Sequence, residues 1–338
     1  MQTIAVISSP PSYESLFPMK TVAILGTRYP DFSVEEEVLG PLDVRIVSGA
    51  GASSDEIAEV AGDADVILAG SGPRFDAATI ARLSCLGIVR SGVGVETIDL
   101  EAARAAGVWV ARVADYGTDA VALHAVTLAL AGTRRLLEAD RSVRDGEWGF
   151  APLRPLHLPS ALVAGVLGFG RIGRRAAELL LGLGFEVVAH DPVATVDAPS
   201  VREVSFAELL SISDVVTLHA PAPADGSFLV GAHQLASMKS GSVLVNTSRG
   251  SLIDEEALIE ALGHGRPGTA ALDVFASEPP DADRFVPVAE HVILTPHMAW
   301  YTEESSRDLR VKAAQEARRL LEGERPRDVV VEPEGSAE

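Results

Sequence analysis

The 338-residue chain has a single cysteine, Cys85. No internal disulfide can form, and a reducing compartment, the cytoplasm, is expected. The apolar context of Cys85 points to a packed thiol rather than a reactive one. Basic residues are scarce: 28 Lys and Arg stand against 48 Asp and Glu, a net charge of −20. Nucleic-acid binding needs a basic face, so this balance argues against it. The lysines number three, Lys20, Lys239 and Lys312, a bias that fits a GC-rich genome and carries no functional reading. No apolar run reaches the roughly eighteen residues of a membrane span. The start, Met1-Gln-Thr-Ile-Ala-Val-Ile, lacks the basic region and the apolar length of a signal peptide. Neither a membrane nor a nucleic acid is expected as a partner.

What is present is a globular composition, 47% hydrophobic and 22% charged, over a length that suggests two domains. Residues 1–19 read as an extension ahead of a true first strand at Thr21–Leu25, and the tail from Glu332 reads as disordered. Strands and helices then alternate through Arg90. A long helical stretch follows from about Thr118 to Arg144, and then a second alternating set starts at Ala161. The last helix, about Thr302 to Glu322, follows the second set and is expected to return to the first domain. The predicted architecture is α/β: two doubly wound parallel-sheet domains, Rossmann- and flavodoxin-like, with a cleft between them. Residues 1–117 with 303–338 form the first, and residues 118–302 the second. The Trp- and Pro-bearing stretch Gly146–Pro159 reads as a linker.

The second set opens with Gly168-Phe169-Gly170-Arg171-Ile172-Gly173. An apolar run precedes it, a helical pattern follows, and a second strand, Glu186–His190, ends in Asp191. Strand, glycine loop, helix, strand and acid are the order of a dinucleotide site. Gly168 permits a tight turn, Gly170 lets pyrophosphate approach the backbone, and Gly173 lets the helix pack close. Asp191 suits a ribose diol and repels a 2′-phosphate. No basic residue follows it through Val196, so the expected cofactor is NAD rather than NADP. No metal site is called for.

Ligands of an open parallel sheet bind beyond the carboxyl ends of its strands. Strand Ser242–Asn246 runs into Arg249, strand Thr269–Asp273 into Glu278, and strand His291–Thr295 into His297. An arginine fork can hold a carboxylate and polarise a carbonyl. A histidine can exchange a proton near neutrality. A carboxylate beside it would orient the ring and favour the imidazolium form. That set suits exchange between a 2-hydroxy acid and a 2-oxo acid.

The chain resembles the D-isomer-specific 2-hydroxyacid dehydrogenase family over about residues 20–325. Within it, the resemblance is to the branch related to C-terminal-binding-protein dehydrogenases. It is carried by Ser91–Leu100, Asp115–His124, Gly168–Gly173, Leu244–Asp254, Ala271–Phe275 with Glu278-Pro279, and Thr295–Tyr301. The resemblance implies substrate binding by Arg249, orientation by Glu278 and acid–base catalysis by His297. It further implies substrate contacts from the amides of Val93 and Gly94. Cofactor contacts would come from Thr118, from His219-Ala220-Pro221, from Thr247 and Ser248, and from Asp273 to the nicotinamide carboxamide. The helix near 118–144 resembles the family's dimerisation arm, so a homodimer is expected.

Three departures stand out. Leu123 replaces the usual acid before His124, and Glu96 replaces the usual aspartate. The loop Ala69-Gly70-Ser71-Gly72-Pro73-Arg74 is small and open. With Trp300 as a pocket wall, space beside Ser71, Gly72 and Arg74 would admit a further anionic group on the substrate. Two alternatives stay open: oxidation of a phosphonate or phosphite-type oxyanion on the same scaffold, and an NAD(H)-sensing corepressor-like binding protein.

Overall fold

The computed structural model describes residues 19–334 except Arg28 and Ala224. The expected N-terminal extension, up to residue 18, and the last four residues of the tail lie outside the described residues.

In chain order the strands are β1 (Thr21–Leu25), β2 (Arg45–Gly49), β3 (Val66–Ala69), β4 (Gly87–Arg90), β5 (Trp109–Arg112), β6 (Val163–Leu167), β7 (Glu186–His190), β8 (Val201–Glu203), β9 (Val215–Leu218), β10 (Val243–Asn246), β11 (Thr269–Leu272), β12 (Val292–Leu294) and β13 (Val329–Val331). The chain divides into two compact units, one running to Gly117 and resuming at Thr302, the other spanning Thr118–Tyr301. Each unit holds one sheet, and each sheet reads from its sequence in the same way. β1, β3, β9 and β10 are apolar runs buried at every position, as strands covered by helices on both faces must be.

The first unit has the order β13-β5-β4-β3-β1-β2. All its pairs are parallel except β13 against β5. The β2-β1-β3-β4-β5 core is the flavodoxin-like winding. The antiparallel edge strand is an addition to the fully parallel expectation. Helix Glu303–Leu321, capped by the Thr302 hydroxyl accepting from Ser305 N at 3.0 Å, belongs to this unit. Its core gathers Leu25, Ile57, Ile67, Phe75, Ile80 and Ile88.

The second unit is fully parallel, in the order β12-β11-β10-β9-β6-β7-β8. This is the Rossmann winding, with the strand order reversing between β6 and β9. Two apolar clusters pack in this unit, one around Leu209, Leu235 and Leu258 and one around Phe169, Leu180 and Val245.

Two expectations are corrected here. The stretch 118–144 is two helices, Thr118–Thr133 and Leu136–Arg144, meeting at 56°. Arg135 sits between them at φ +48°, a left-handed conformation that ends an α-helix without glycine or proline. Its guanidinium pairs with Glu138 at 2.7 Å. The segment Gly146–Pro159 lies inside the second unit, so it is not the connection between the units. No single helix among the described residues is long and apolar enough to cross a membrane.

Candidate active site

The glycine loop follows β6 directly. Gly168 has φ +93°, and a Cβ there would lie 2.6 Å from the backbone of His219 and Ala220. The turn therefore runs against the loop after β9, at the point where the strand order reverses. A Cβ at Gly173 would lie 2.0 Å from the Gly168 carbonyl oxygen. At Gly170 nothing lies within 4 Å of that position, so this side of the backbone is open to a ligand. Helix Arg171–Gly182 starts there, with no acidic residue in its first turn. The N–H groups and partial positive charge of a helix N-terminus suit an anion. Arg171 is exposed and Ile172 half-buried.

Asp191 closes the cradle. Its Oδ2 accepts from Phe169 N at 2.6 Å, and its Oδ1 accepts from Val193 N and Ala194 N, each at 2.8 Å. Burial pushes the carboxyl pKa up, but the N–H groups of Ala194, Phe169 and Val193, with His190 nearby, outweigh it. The net result is below the ordinary value. Thr247 is buried, and its hydroxyl has no hydrogen-bond partner among the described residues. A buried polar atom of that kind is what a bound group would satisfy. The glycine cradle, the helix N-terminus, Asp191 and the Thr247 hydroxyl together fit a dinucleotide.

Other residues expected at the cofactor are placed differently. The Phe169 side chain is 1% exposed and packs in the core beneath the Arg174 guanidinium, so only its backbone can meet a ligand. The Ser248 hydroxyl donates to Ala220 O at 2.7 Å and ties two loops together. His219 is half-buried, with Nε2 3.0 Å from the Thr217 hydroxyl. Burial lowers its pKa to about 4, so the ring is neutral at pH 7. Pro221 is exposed, and Thr118 is half-buried at the start of its helix.

Glu278 and His297, the expected acid–base pair, sit beyond adjacent strands β11 and β12. His297 Nδ1 is 2.6 Å from Glu278 Oε2, and Glu278 Oε1 accepts from Phe275 N at 3.1 Å. Glu278 is thus anchored on one side and presents the other oxygen to the ring. Both side chains are substantially exposed, 48% for His297 and 37% for Glu278. The His297 backbone has φ +52°, a left-handed conformation uncommon for a residue other than glycine. Arg249 follows β10, the next strand, and Nη1 donates to Ser248 O at 2.9 Å. A Cβ at Gly250 would fall 1.9 Å from the Phe275 carbonyl carbon. The arginine loop and the glutamate loop therefore touch backbone to backbone.

Asp273 is placed inward. It is fully buried. Oδ1 accepts from the Thr295 hydroxyl at 2.6 Å and from Met298 N at 2.9 Å, and Oδ2 accepts from Ala299 N at 2.9 Å. The carboxylate faces the loop that carries His297.

In the first unit, Ser71, Gly72 and Arg74 are exposed, Val93 is exposed and Gly94 half-buried. The loop is less open than its glycines suggest. A Cβ at Gly70 would lie 2.3 Å from Gly26 O, whereas Gly72 has nothing within 4 Å. Gly70 is small because two loops meet there; Gly72 alone leaves space. In the second unit, Trp300 is half-buried, with its ring edge-to-face on Tyr301 at 5.5 Å.

Three further residues support the site. Asn246 Nδ2 donates to Arg249 O at 2.8 Å. Glu255, nearly buried, accepts from Ala276 N at 2.6 Å and from Arg284 at 2.9 Å, backing the glutamate loop. His124 reaches Thr295.

Residues 126–299 match the family model "D-isomer specific 2-hydroxyacid dehydrogenase, NAD binding domain". The chain belongs to the D-isomer-specific 2-hydroxyacid dehydrogenase family. Among its relatives, the D-3-phosphoglycerate dehydrogenase of Archaeoglobus fulgidus is 34% identical over 286 residues, covering 83% of this chain and 54% of the relative. The structure of D-lactate dehydrogenase from Escherichia coli superposes with a TM-score of 0.80 at 28% identity, covering 92% of this chain and 100% of that one. The Aquifex aeolicus D-lactate dehydrogenase, solved with NAD and lactic acid, has a TM-score of 0.80 at 25% identity, covering 92% and 99%. The chain spans about half the length of the curated relatives it matches. The family model does not single out the branch related to C-terminal-binding proteins. The relatives carry dehydrogenase names, which favours neither the oxyanion nor the corepressor alternative.

Proposed function

We propose that this family member interconverts a D-2-hydroxy acid and its 2-oxo acid with NAD, using His297 as the acid–base group. The 2.6 Å contact between His297 Nδ1 and Glu278 carries this reading, because it leaves Nε2 as the nitrogen that can meet a substrate oxygen. When bound, NAD supplies the hydride acceptor or donor. His297 gives a proton to the carbonyl oxygen on reduction and takes it from the hydroxyl on oxidation. Glu278 holds the ring and stabilises its charged form. Arg249 offers a planar fork to the carboxylate and the 2-oxo group. The glycine cradle holds the pyrophosphate, and the Asp191 oxygens keep lone pairs for a ribose diol. We take the Val93 and Gly94 amides and the loop Ser71–Arg74 as the proposed substrate contacts.

The testing measurement is NADH oxidation against a panel of 2-oxo acids, with phosphorylated and dicarboxylic members included. Turnover of at least one member supports the reading, and none, with NADH still bound, defeats it. Arg74 extends the reading to substrates with a second anionic group, a class that includes the substrate named for the curated relatives. Arg74→Ala should raise KM for dianionic substrates about tenfold, the loss of roughly 1.4 kcal/mol, and leave monoanions unchanged. Equal effects on both would remove Arg74 from the site.

We further propose a homodimer built on the face of helix Leu136–Arg144 and the segment after it. Leu136 is 58% exposed, Val143 55%, Trp148 91% and Phe150 64%. Such a concentration of exposed apolar side chains marks a covered surface. Sedimentation should give a dimer for the wild-type chain and a monomer for Val143→Asp with Trp148→Asp. A monomer in both would rule this face out.

A further inference from the structure

His297 depends on a loop, and the loop depends on a buried carboxylate. Asp273 receives Met298 N, Ala299 N and the Thr295 hydroxyl on its two oxygens. Its backbone carbonyl receives His297 N at 2.8 Å. Three contacts to the side chain and one to the backbone carbonyl therefore wrap residues 295–299 around Asp273, and the His297 backbone is held at φ +52° within that wrap. A left-handed conformation at a non-glycine residue persists only where its surroundings over-determine it.

One partner comes from outside the loop. His124, on helix Thr118–Thr133, places Nε2 3.2 Å from the Thr295 hydroxyl oxygen and 3.7 Å from Asp273 Oδ1. The hydroxyl has one hydrogen, and the 2.6 Å bond to Asp273 uses it. Thr295 can then only accept from the ring, which assigns a proton to Nε2 of His124. The chain of donors runs one way: His124 Nε2–H to Thr295, Thr295 O–H to Asp273. A buried carboxylate is costly unless its oxygens are hydrogen-bonded, and the ring N–H supports it through the Thr295 hydroxyl.

We propose that His124 is a positioning residue for the reaction, acting through Thr295 and Asp273 to hold the 295–299 loop that sets His297. It touches neither substrate nor cofactor in this role. The proposal rests on the reading of His297 as the acid–base group.

The test uses the full chain and the best 2-oxo acid from the panel. His124→Leu removes the donor, and His124→Gln restores an N–H at a similar reach. Misplacing a reacting group by about 1 Å costs up to about 100-fold. The leucine variant should thus lose 10- to 100-fold in kcat, with KM and the NADH dissociation constant little changed. The glutamine variant should recover most of the loss. A purely structural role would move melting temperature and NADH binding together and would gain little from glutamine. Thr295→Val against Thr295→Ser repeats the comparison if His124→Leu does not fold. Unchanged kcat in His124→Leu, or a loss that glutamine leaves in place, overturns the proposal. Failure of the underlying reading is separate: there the wild-type chain turns over no panel member, or His297→Ala keeps its activity.

Discussion

Replacing His297 by alanine should lower kcat about 10²- to 10⁴-fold, the usual contribution of a positioned acid–base group, while NADH binds as before. The ring is 48% exposed and contacts Glu278 at 2.6 Å, so its removal opens no cavity in the core. Backbone strain complicates alanine, because φ is +52° at this position. Asparagine tolerates that conformation better than most residues, so His297→Asn is the cleaner variant. It should show the same loss of kcat with a smaller change in melting temperature. Glu278→Gln should fall between these variants and wild type: amide and carboxylate have the same shape, but the charge that stabilises an imidazolium is gone. The measurement is steady-state turnover beside an NADH fluorescence titration. Activity within a few-fold of wild type in His297→Asn would remove His297 from the chemistry, and a parallel collapse of NADH affinity would make it structural.

The parts of this molecule legible in its sequence are those fixed by local pattern. The strands Thr21–Leu25 and Val243–Asn246, expected from the sequence, are runs buried at every position. Gly168, Gly170 and Gly173 are legible because each backbone demand falls on a different glycine: a positive φ, an open face and a close approach. What hides is long-range. Asp273 reads as a residue facing the ligand because it ends a strand at the right edge, yet its partners pull it inward. His124 and Thr295 meet across 171 positions, and neither motif alone implies the other. Gly70 resembles Gly72 in sequence, but only the position of Gly26 O separates a packed glycine from an open one. The helix break falls on a left-handed arginine, Arg135, and Gly132 ahead of it remains within the first helix. Phe169 sits within the cofactor motif, and only the packing beneath helix Arg171–Gly182 shows that its ring belongs to the core.

Gly173→Ala should abolish tight cofactor binding, and Gly182→Ala, in the same helix, should not. The added methyl at Gly173 would lie 2.0 Å from Gly168 O, well inside carbon–oxygen contact distance. Its neighbour is backbone rather than a flexible side chain, so relief requires the helix start to move off β6. Overpacking costs about 1–3 kcal/mol, and the rigid obstacle puts this site at the upper end. Spent on the conformation that presents the helix N–H groups, about 3 kcal/mol weakens NADH binding by more than 100-fold. Gly182 lies at the far end of helix Arg171–Gly182, where a Cβ meets nothing within 4 Å. Alanine there gains helix propensity, about 0.8–1.0 kcal/mol, and should raise the melting temperature with NADH affinity unchanged. The pair separates a demand for space from a general effect of glycine replacement. Equal NADH affinities in the two variants would mean that the close packing of helix on strand is not what builds the cofactor site.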